Sequence, residues 1–297
     1  MKITYQSTIP DPVRLDTFIH SYHPEFSRSF LKKHIFNTTI NGKPVKISAK
    51  VLLNDNISFE LENSGSRQPG PQKLPINVLY QDDCILVINK KAGRVVHPAP
   101  GHTQDTVLNH LLTIINDPAS FSCPERCGIV HRLDKDTSGV LVCALTPYAE
   151  LFLKKQFKKR KVKKKYTALV HGAILQSEGR VDLPVGKSKT SWKKQGVVNN
   201  GKKSLTTYKI KQRSPDFSLA DIMLHTGRTH QIRVHFQALG HPVYGDHLYN
   251  RNENKSLPLH LHSSELSFTH PQTKKTVTFR APLPAFFKKT LKDMQPI

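Results

Sequence analysis

The sequence predicts an α+β fold. A large domain with a mixed, mostly antiparallel sheet is expected over residues 76–297. A small α/β domain over residues 1–61 precedes it, and a flexible linker over 62–75 separates the two. Three observations carry this reading. Beyond residue 76, short apolar runs follow one another with few helical stretches between them, which disfavours repeated βαβ units. Before residue 61, two short helical patterns lead into a hairpin signal. Residues 62–75 read ENSGSRQPGPQKLP, rich in Pro, Gly and Ser and without hydrophobic period.

In chain order, Leu15 and Ile19 share one helical face. Leu31 and Ile35 share another, on a second helix that Ser27 caps. Arg28, Lys32 and Lys33 recur on that second helix, as a solvated face or a contact for a polyanion. Asn41-Gly42 marks a tight turn, with strands expected at 45–47 and 57–61. In the large domain, 85–88, 129–130 and 140–145 are apolar strand candidates, and Val107, Leu111, Ile114 and Ile115 fit a helix. Another helix starts with Thr146 as cap and Pro147 in its first turn. Tyr166, Ala168 and Val170 alternate as a half-buried strand ending near Gly172, and 205–210 and 217–224 give further strands. A helix over 229–239 is pinned by Ile232, Phe236 and Leu239, with Arg228 one turn before Ile232 on the same face.

Lys and Arg total 45 against 22 Asp and Glu, a net charge of +23. Such an excess opposes compaction and favours attraction to a polyanion. It is concentrated: residues 151–213 hold 19 Lys/Arg and 2 acids, whereas 1–61 hold 8 and 5. The densest run is Lys154, Lys155, Lys158, Lys159, Arg160, Lys161, Lys163, Lys164 and Lys165, with Trp192, Lys193 and Lys194 extending it. A solvated loop would look the same, but the run leads directly into Tyr166. Cys84 and Cys143 sit in apolar runs and are expected in the core. Cys123 and Cys127 lack the second close pair that a zinc site needs. Reduced thiols, no signal peptide and no run of about 20 apolar residues point to a cytoplasmic protein with no membrane partner.

Residues 128–141, GIVHRLDKDTSGVL, place a polar loop between two apolar runs, and Gly139 releases the backbone into the second. On chemistry alone this is equally an active loop on a rigid scaffold or a turn whose Asp and Ser bond backbone amides. An Asp-x-Asp reading of Asp134 and Asp136 resembles the nucleophile of haloacid-dehalogenase-like phosphatases and would imply Mg²⁺. His131 and Arg132 interrupt the strand that this motif needs, and no acidic cluster follows.

The wider pattern resembles another family. Residues 131–139, HRLDKDTSG, are similar to the His-Arg-Leu-Asp-x-x-Thr-Ser-Gly signature of ribosomal large subunit (RluA-type) pseudouridine synthases. Residues 85–97, ILVINKKAGRVVH, resemble a family stretch in which Lys91 replaces the usual Pro. Residues 165–172, KYTALVHG, resemble the family's tyrosine strand. Thr226 to His235, TGRTHQIRVH, followed by Gly240-His241-Pro242 and Gly245-Asp246, resembles its other long signature. Residues 14–61 are similar to a small S-four-type RNA-binding domain, with Asn54-Asp55 where Gly-Asp is common.

This resemblance implies an enzyme that isomerises uridine within RNA. The C1′–N1 bond breaks, the uracil turns while bound, and C5 joins C1′. No atoms are gained or lost, so no redox cofactor is needed, and no metal is expected. Asp134 is the implied catalytic carboxylate, attacking the sugar, adding to the base or taking a sugar proton. Arg228 is the expected partner of Asp134 through a charge-assisted fork. Arg233 matches the signature's second Arg, behind the site or on a phosphate. Tyr166 is the implied active-site tyrosine, with its ring on the uracil and its hydroxyl helping to move the C5 proton. Arg132 either fills the gap left by the extruded base or braces the loop. His131, His230 and His235 have no metal-triad spacing and are expected to make structural hydrogen bonds. The basic run, with Lys154, Lys155, Lys158, Lys159, Arg160, Lys163 and Lys164, would grip RNA phosphates, and Arg28, Lys32 and Lys33 would add to that grip. Large-subunit ribosomal RNA is the family-level substrate and transfer RNA the nearest variant, with a monomer as default. The competing class is a noncatalytic RNA-binding or ribosome-assembly factor on the same fold.

Overall fold

A computed structural model of the chain describes residues 2–23, 31–32, 34–61, 69–98, 104–188, 191 and 194–294. Ser27, Arg28, Lys33, residues 62–68 of the expected linker, Trp192 and Lys193 lie outside the described residues. Two compact units are present: residues 1–71 with 116–127, and residues 72–115 with 128–297.

In the first unit, helix α1 (Leu15–Tyr22) buries Leu15, Phe18 and Ile19 against Val51, Ile57 and Phe59. Strands β1 (Lys2–Gln6), β3 (Ile35–Ile40), β4 (Lys43–Pro44) and β6 (Asn56–Leu61) form a sheet in the order β1-β6-β3-β4, and β2 (Val13–Arg14) pairs with β5 (Lys50–Val51). Leu31 is helical and buried, but Ile35 opens β3 instead of continuing the helix. The run IFNTTI is rich in β-branched and aromatic side chains, and pairing with β6 sets Ile35 opposite Leu61. Residues 45–47 lie outside any strand. The hairpin closes earlier, at Lys43 and Pro44, because Asn41 (φ 52°) and Gly42 (φ 75°) supply both left-handed positions of a two-residue turn.

The second unit is built on a nine-stranded sheet among the described residues. Its strands are β7 (Asn77–Gln81), β8 (Ile85–Lys90), β9 (Ser138–Ala144), β10 (Lys163–His171), β11 (Glu178–Asp182), β14 (Leu205–Arg213), β15 (Phe217–Leu224), β16 (Leu261–Thr269) and β17 (Thr276–Arg280). The order is β11-β14-β15-β10-β16-β9-β8-β7, with β17 on β16, and β12 (Val185–Lys187) pairs separately with β13 (Gln195–Val197). Every neighbouring pair runs antiparallel except β9 and β16, which are parallel through Ser138–His262 and Gly139–Ser263. The fold is thus α+β with a mixed, mostly antiparallel sheet, as the alternating apolar runs predict.

Five described helices accompany the strands, α1 above and four in this unit: α2 (Val107–Leu111), α3 (Pro147–Lys158), α4 (Gln231–Ala238) and α5 (Ala285–Asp293). Thr146 caps α3 by accepting from the Ala149 N–H, with Pro147 at the first position. Ala149 and Leu153 then pack on Ile85, Val87, Val140 and Val142. Helix α2 stops at Leu111, before Ile114 and Ile115. Residues 129–130 make no strand: among the described residues only Ile129 bridges, to Cys143, and Val130 packs on the β8–β9 core without strand pairing. Cys143 is in the core, but Cys84 is half-buried, with its thiol against Gln272.

The parallel junction depends on one residue. Gly139 has φ 113°, and a Cβ there would lie 2.2 Å from the Ser263 carbonyl oxygen. Both the left-handed backbone and the close approach exclude a side chain. Gly139→Ala is therefore expected to destabilise the chain by about 3 kcal/mol, read as a lower urea midpoint at unchanged slope. A midpoint equal to wild type would show that the junction tolerates a Cβ.

Candidate active site

The loop between Ile129 and β9 has no regular structure, so its side chains are set by what anchors each one. Leu133 is buried, Arg132 is exposed, and Asp134 lies between these extremes. His131 stacks on Phe157 of α3 at 4.5 Å, and its Nε2 accepts the Val142 N–H at 3.1 Å. That bond places the ring proton on Nδ1 and ties the loop to both β9 and α3. Burial, then the charge of Lys164, lower the His131 pKa to about 3. A tight turn from the Thr137 N–H to the Asp134 carbonyl closes the loop.

Lys90 holds the loop from beneath. It is 1% exposed, and its Nζ donates to the carbonyls of Lys91 (3.1 Å), Arg94 (2.8 Å) and Lys135 (2.8 Å). Three acceptors match the three N–H bonds of an ammonium. The Gly93 N–H also donates to the Lys135 carbonyl at 2.9 Å, so residues 91–94 are stapled to the peptide that follows Asp134. Lys91 stands where the resembled family has Pro, and the turn forms with it. Nothing in the sequence alone distinguishes Lys90 from its neighbour, because both are lysines after an apolar run.

Asp134 is 18% exposed at its side chain, and its Oδ2 lies 3.6 Å from Arg233 Nη1 and 3.8 Å from His230 Nε2. Arg233, not Arg228, is therefore the guanidinium that faces Asp134. Arg233 donates from Nε and Nη2 to Asp246 at 2.6 and 2.8 Å, a buried two-point fork that leaves Nη1 for Asp134. Burial alone would lower the Arg233 pKa, but Asp246 and Asp134 together raise it. Arg228 instead points its Nε and Nη2 to the Lys203 carbonyl, each at 3.4 Å.

The expected Arg228 geometry fails because the helix starts later than its pattern suggests. His230 sits at φ 56°, in the left-handed region, and α4 begins at Gln231. Helical spacing therefore does not extend back to Arg228. Gln231 fixes the turn before it: its Oε1 accepts from the Thr226 hydroxyl (2.7 Å) and the Arg228 N–H (3.0 Å). Ile232 and Phe236 are buried as expected, but Leu239 is 38% exposed. His230 and His235 make hydrogen bonds, to Tyr249 and to Thr206 and Leu183. The Tyr249 hydroxyl accepts the Gln195 N–H (2.9 Å) and reaches His230 Nδ1 (2.8 Å). Asp246 and Tyr249 were missed as site residues; the Gly245-Asp246 pair was the only signal for either.

Tyr166 lies on β10, one strand from the loop, and is 7% exposed. The pairing of β10 with β16 shifts register between Lys165 and Tyr166, which brings Tyr166 opposite Ser263 beside Gly139. Burial pushes the tyrosine pKa up, the Asp134 carboxylate adds to the rise, and Ser263 partly offsets it. The hydroxyl is thus protonated at neutral pH.

These residues converge on a pocket of ≈ 520 Å³ whose lining includes Arg132, Asp134, Tyr166, Arg228, His230 and Arg233. Of the basic run, Lys158, Arg160 and Lys164 reach it. Lys154 pairs with buried Glu150 at 3.0 Å, Lys155, Lys159 and Lys163 are exposed elsewhere, and Lys165 pairs with Asp221 at 3.1 Å. Lys32 is exposed in the first unit.

A carboxylate loop at a sheet junction, facing an arginine, a histidine and a strand tyrosine inside a basic-rimmed pocket, defines an enzyme that works on a polyanion. The comparisons name the family. A model described as RNA pseudouridylate synthase matches residues 84–238, and the chain belongs to that family. It is 35% identical to an uncharacterised RNA pseudouridine synthase of Bacillus subtilis, over 95% of this chain and 94% of the other. It is 37% identical to ribosomal large subunit pseudouridine synthase D of Nitrosomonas europaea, over 95% and 85%. The structure of human RNA pseudouridylate synthase domain containing 1 matches with a TM-score of 0.59 at 27% identity, covering 70% of this chain and 84% of that one. The chain is an RNA pseudouridine synthase, an isomerase.

The low pKa of His131 carries a stability prediction. Unfolded, His131 takes a proton near pH 6.5; folded, it does so only near 3. Its contribution is complete above 6.5 and is lost as pH falls toward 3. Between about pH 6.5 and about pH 5, wild type should lose about 2 kcal/mol more than His131→Gln, which has no proton to gain. Urea unfolding of both proteins at the two pH values checks this, and parallel losses would contradict it.

Proposed function

We propose that the chain converts specific uridines of large-subunit ribosomal RNA to pseudouridine, with Asp134 as the catalytic carboxylate. The observation that carries this reading is the placement of the Asp134 carboxylate 3.6 Å from Arg233, inside the pocket that Tyr166 also lines. The relatives named for the large ribosomal subunit support the choice of RNA.

A base inside a helix keeps its sugar out of reach, so the target nucleotide leaves its stack first. Arg132, exposed on the loop, takes the place of the extruded base. Phosphate contacts by the basic run offset the unstacking cost of a few kcal/mol. In the pocket, Tyr166 lies against the uracil, and its neutral hydroxyl exchanges a proton near C5. Asp134 attacks the sugar, adds to the base or removes a sugar proton. In each case the C1′–N1 bond is replaced by C1′–C5, and the proton released at C5 is balanced by one gained at N1. Arg233 balances the carboxylate, and Asp246 keeps the guanidinium aimed at it. The first unit acts as an S-four-type RNA grip through Arg28, Lys32 and Lys33. The protein works as a monomer in the cytoplasm.

The test uses RNA labelled with tritium at uridine C5 and extracted from cells lacking this protein. Wild type should release tritium from the large-subunit fraction, and Asp134→Asn should release it about a thousandfold more slowly. Equal rates would remove Asp134 from the chemistry, and release from transfer RNA alone would reassign the substrate. Asp246→Asn should lower kcat more than KM, because Arg233 then lacks the partner that aims it. A change confined to KM would instead place Arg233 in ground-state binding.

A further inference from the structure

The pocket that holds Asp134 also carries an unbalanced cluster of positive charge. Lys164, Arg160 and Arg228 all line it, and its lining contains a single carboxylate, Asp134. Asp134 is engaged by Arg233 and His230. Among the described residues, no ion pair joins Lys164, Arg160 or Arg228 to any carboxylate. Their protein contacts are neutral: Lys164 Nζ lies 3.4 Å from the Thr226 carbonyl, and Arg228 lies 3.4 Å from that of Lys203. Arg160 follows α3 by two residues, in the left-handed region at φ 56°.

Clustered cations repel one another, and the cost grows as water is excluded. Lys164 registers it: burial, then Arg160 and Arg228, lower its pKa to about 8. The same sheet shows the alternative, because the adjacent Lys165 points to the other face and pairs with Asp221. An anion that enters with the ligand supplies the missing countercharge.

We propose that Lys164, Arg228 and Arg160 form a phosphodiester-binding subsite that takes the backbone phosphate flanking the unstacked uridine. This rests on the isomerase reading for the nucleotide's orientation. With the ribose at Asp134 and the base at Tyr166, the flanking phosphate is the anionic group directed to the rim. The assignment also gives Arg228 a role in place of pairing with Asp134.

The test is a binding measurement that needs no turnover. The probe is an RNA pentanucleotide with one central uridine, either fully charged or with an uncharged methylphosphonate on the 5′ or the 3′ side of that uridine. For wild type at low salt, neutralising one of the two linkages should weaken binding about tenfold, and neutralising the other should matter much less. The Lys164→Met, Arg228→Met double variant should bind charged and neutralised probes equally, whereas Lys164→Arg should keep the difference. Equal affinity of wild type for all three probes, no binding of any, or an undiminished linkage preference in the double variant overturns the subsite. Thermal melting confirms that the variants are folded. Asp134→Asn should retain the linkage preference, so failure of the chemistry and failure of the subsite give different results.

Discussion

Two strands that run in the same direction, β9 and β16, touch through Gly139 and Ser263 with no room for a Cβ. The site's arrangement follows from this contact. Because β9 starts there, the loop before it ends at a fixed point beside β16. Because β10 lies on the far side of β16, Tyr166 is one strand away from that loop, and the register shift at Lys165 sets it opposite Ser263 at the junction. The antiparallel halves on either side supply mass and rigidity, while the junction supplies the site. A sheet antiparallel throughout would join β9 to β16 with opposite polarity and carry the loop to the other end of the strand.

The charges near the junction are compensated in different ways. Arg233 is forked onto Asp246, so its aim is set by a buried pair and not by solvent. The Lys90 ammonium is solvated by three backbone carbonyls, a neutral cage that joins two loops. His131, His235 and His262 are held neutral by burial and serve as hydrogen-bonding pins. Removing one member of such a set leaves a buried polar group without its partner, which costs more than the bond itself contributes. The site thus depends on groups that do not line the pocket.

Local signals in the sequence were reliable where the physics is local. The cap at Thr146, the Asn41-Gly42 turn, the alternation through Tyr166 and the polar loop at Asp134 all depend on neighbours within a few residues. The failures have a common cause. Ile35 left its helix because β6 offered a partner 26 residues on, and 129–130 found no strand register. Arg228 was expected opposite Asp134 from the resembled signature, with helical spacing setting its face, and the left-handed His230 interrupts that spacing. Lys90, Asp246 and Tyr249 act through contacts 13 to 54 residues away in the chain, and beyond the Gly245-Asp246 pair the sequence carries no marker of them.

The Asp246–Arg233–Asp134 row has two negative ends around one positive centre, whereas among the described residues no carboxylate is paired with the exposed Arg132, Lys158 and Arg160 that line the same pocket. The cavity therefore has an electrical axis of its own. A ligand with one charged end and one uncharged end meets a field that sorts the two. The charged end is drawn to those exposed cations, and the uncharged end is held beside Tyr166 by shape and stacking. What is held only by shape is free to rotate once its bond is cut, while what is held by charge stays where it was.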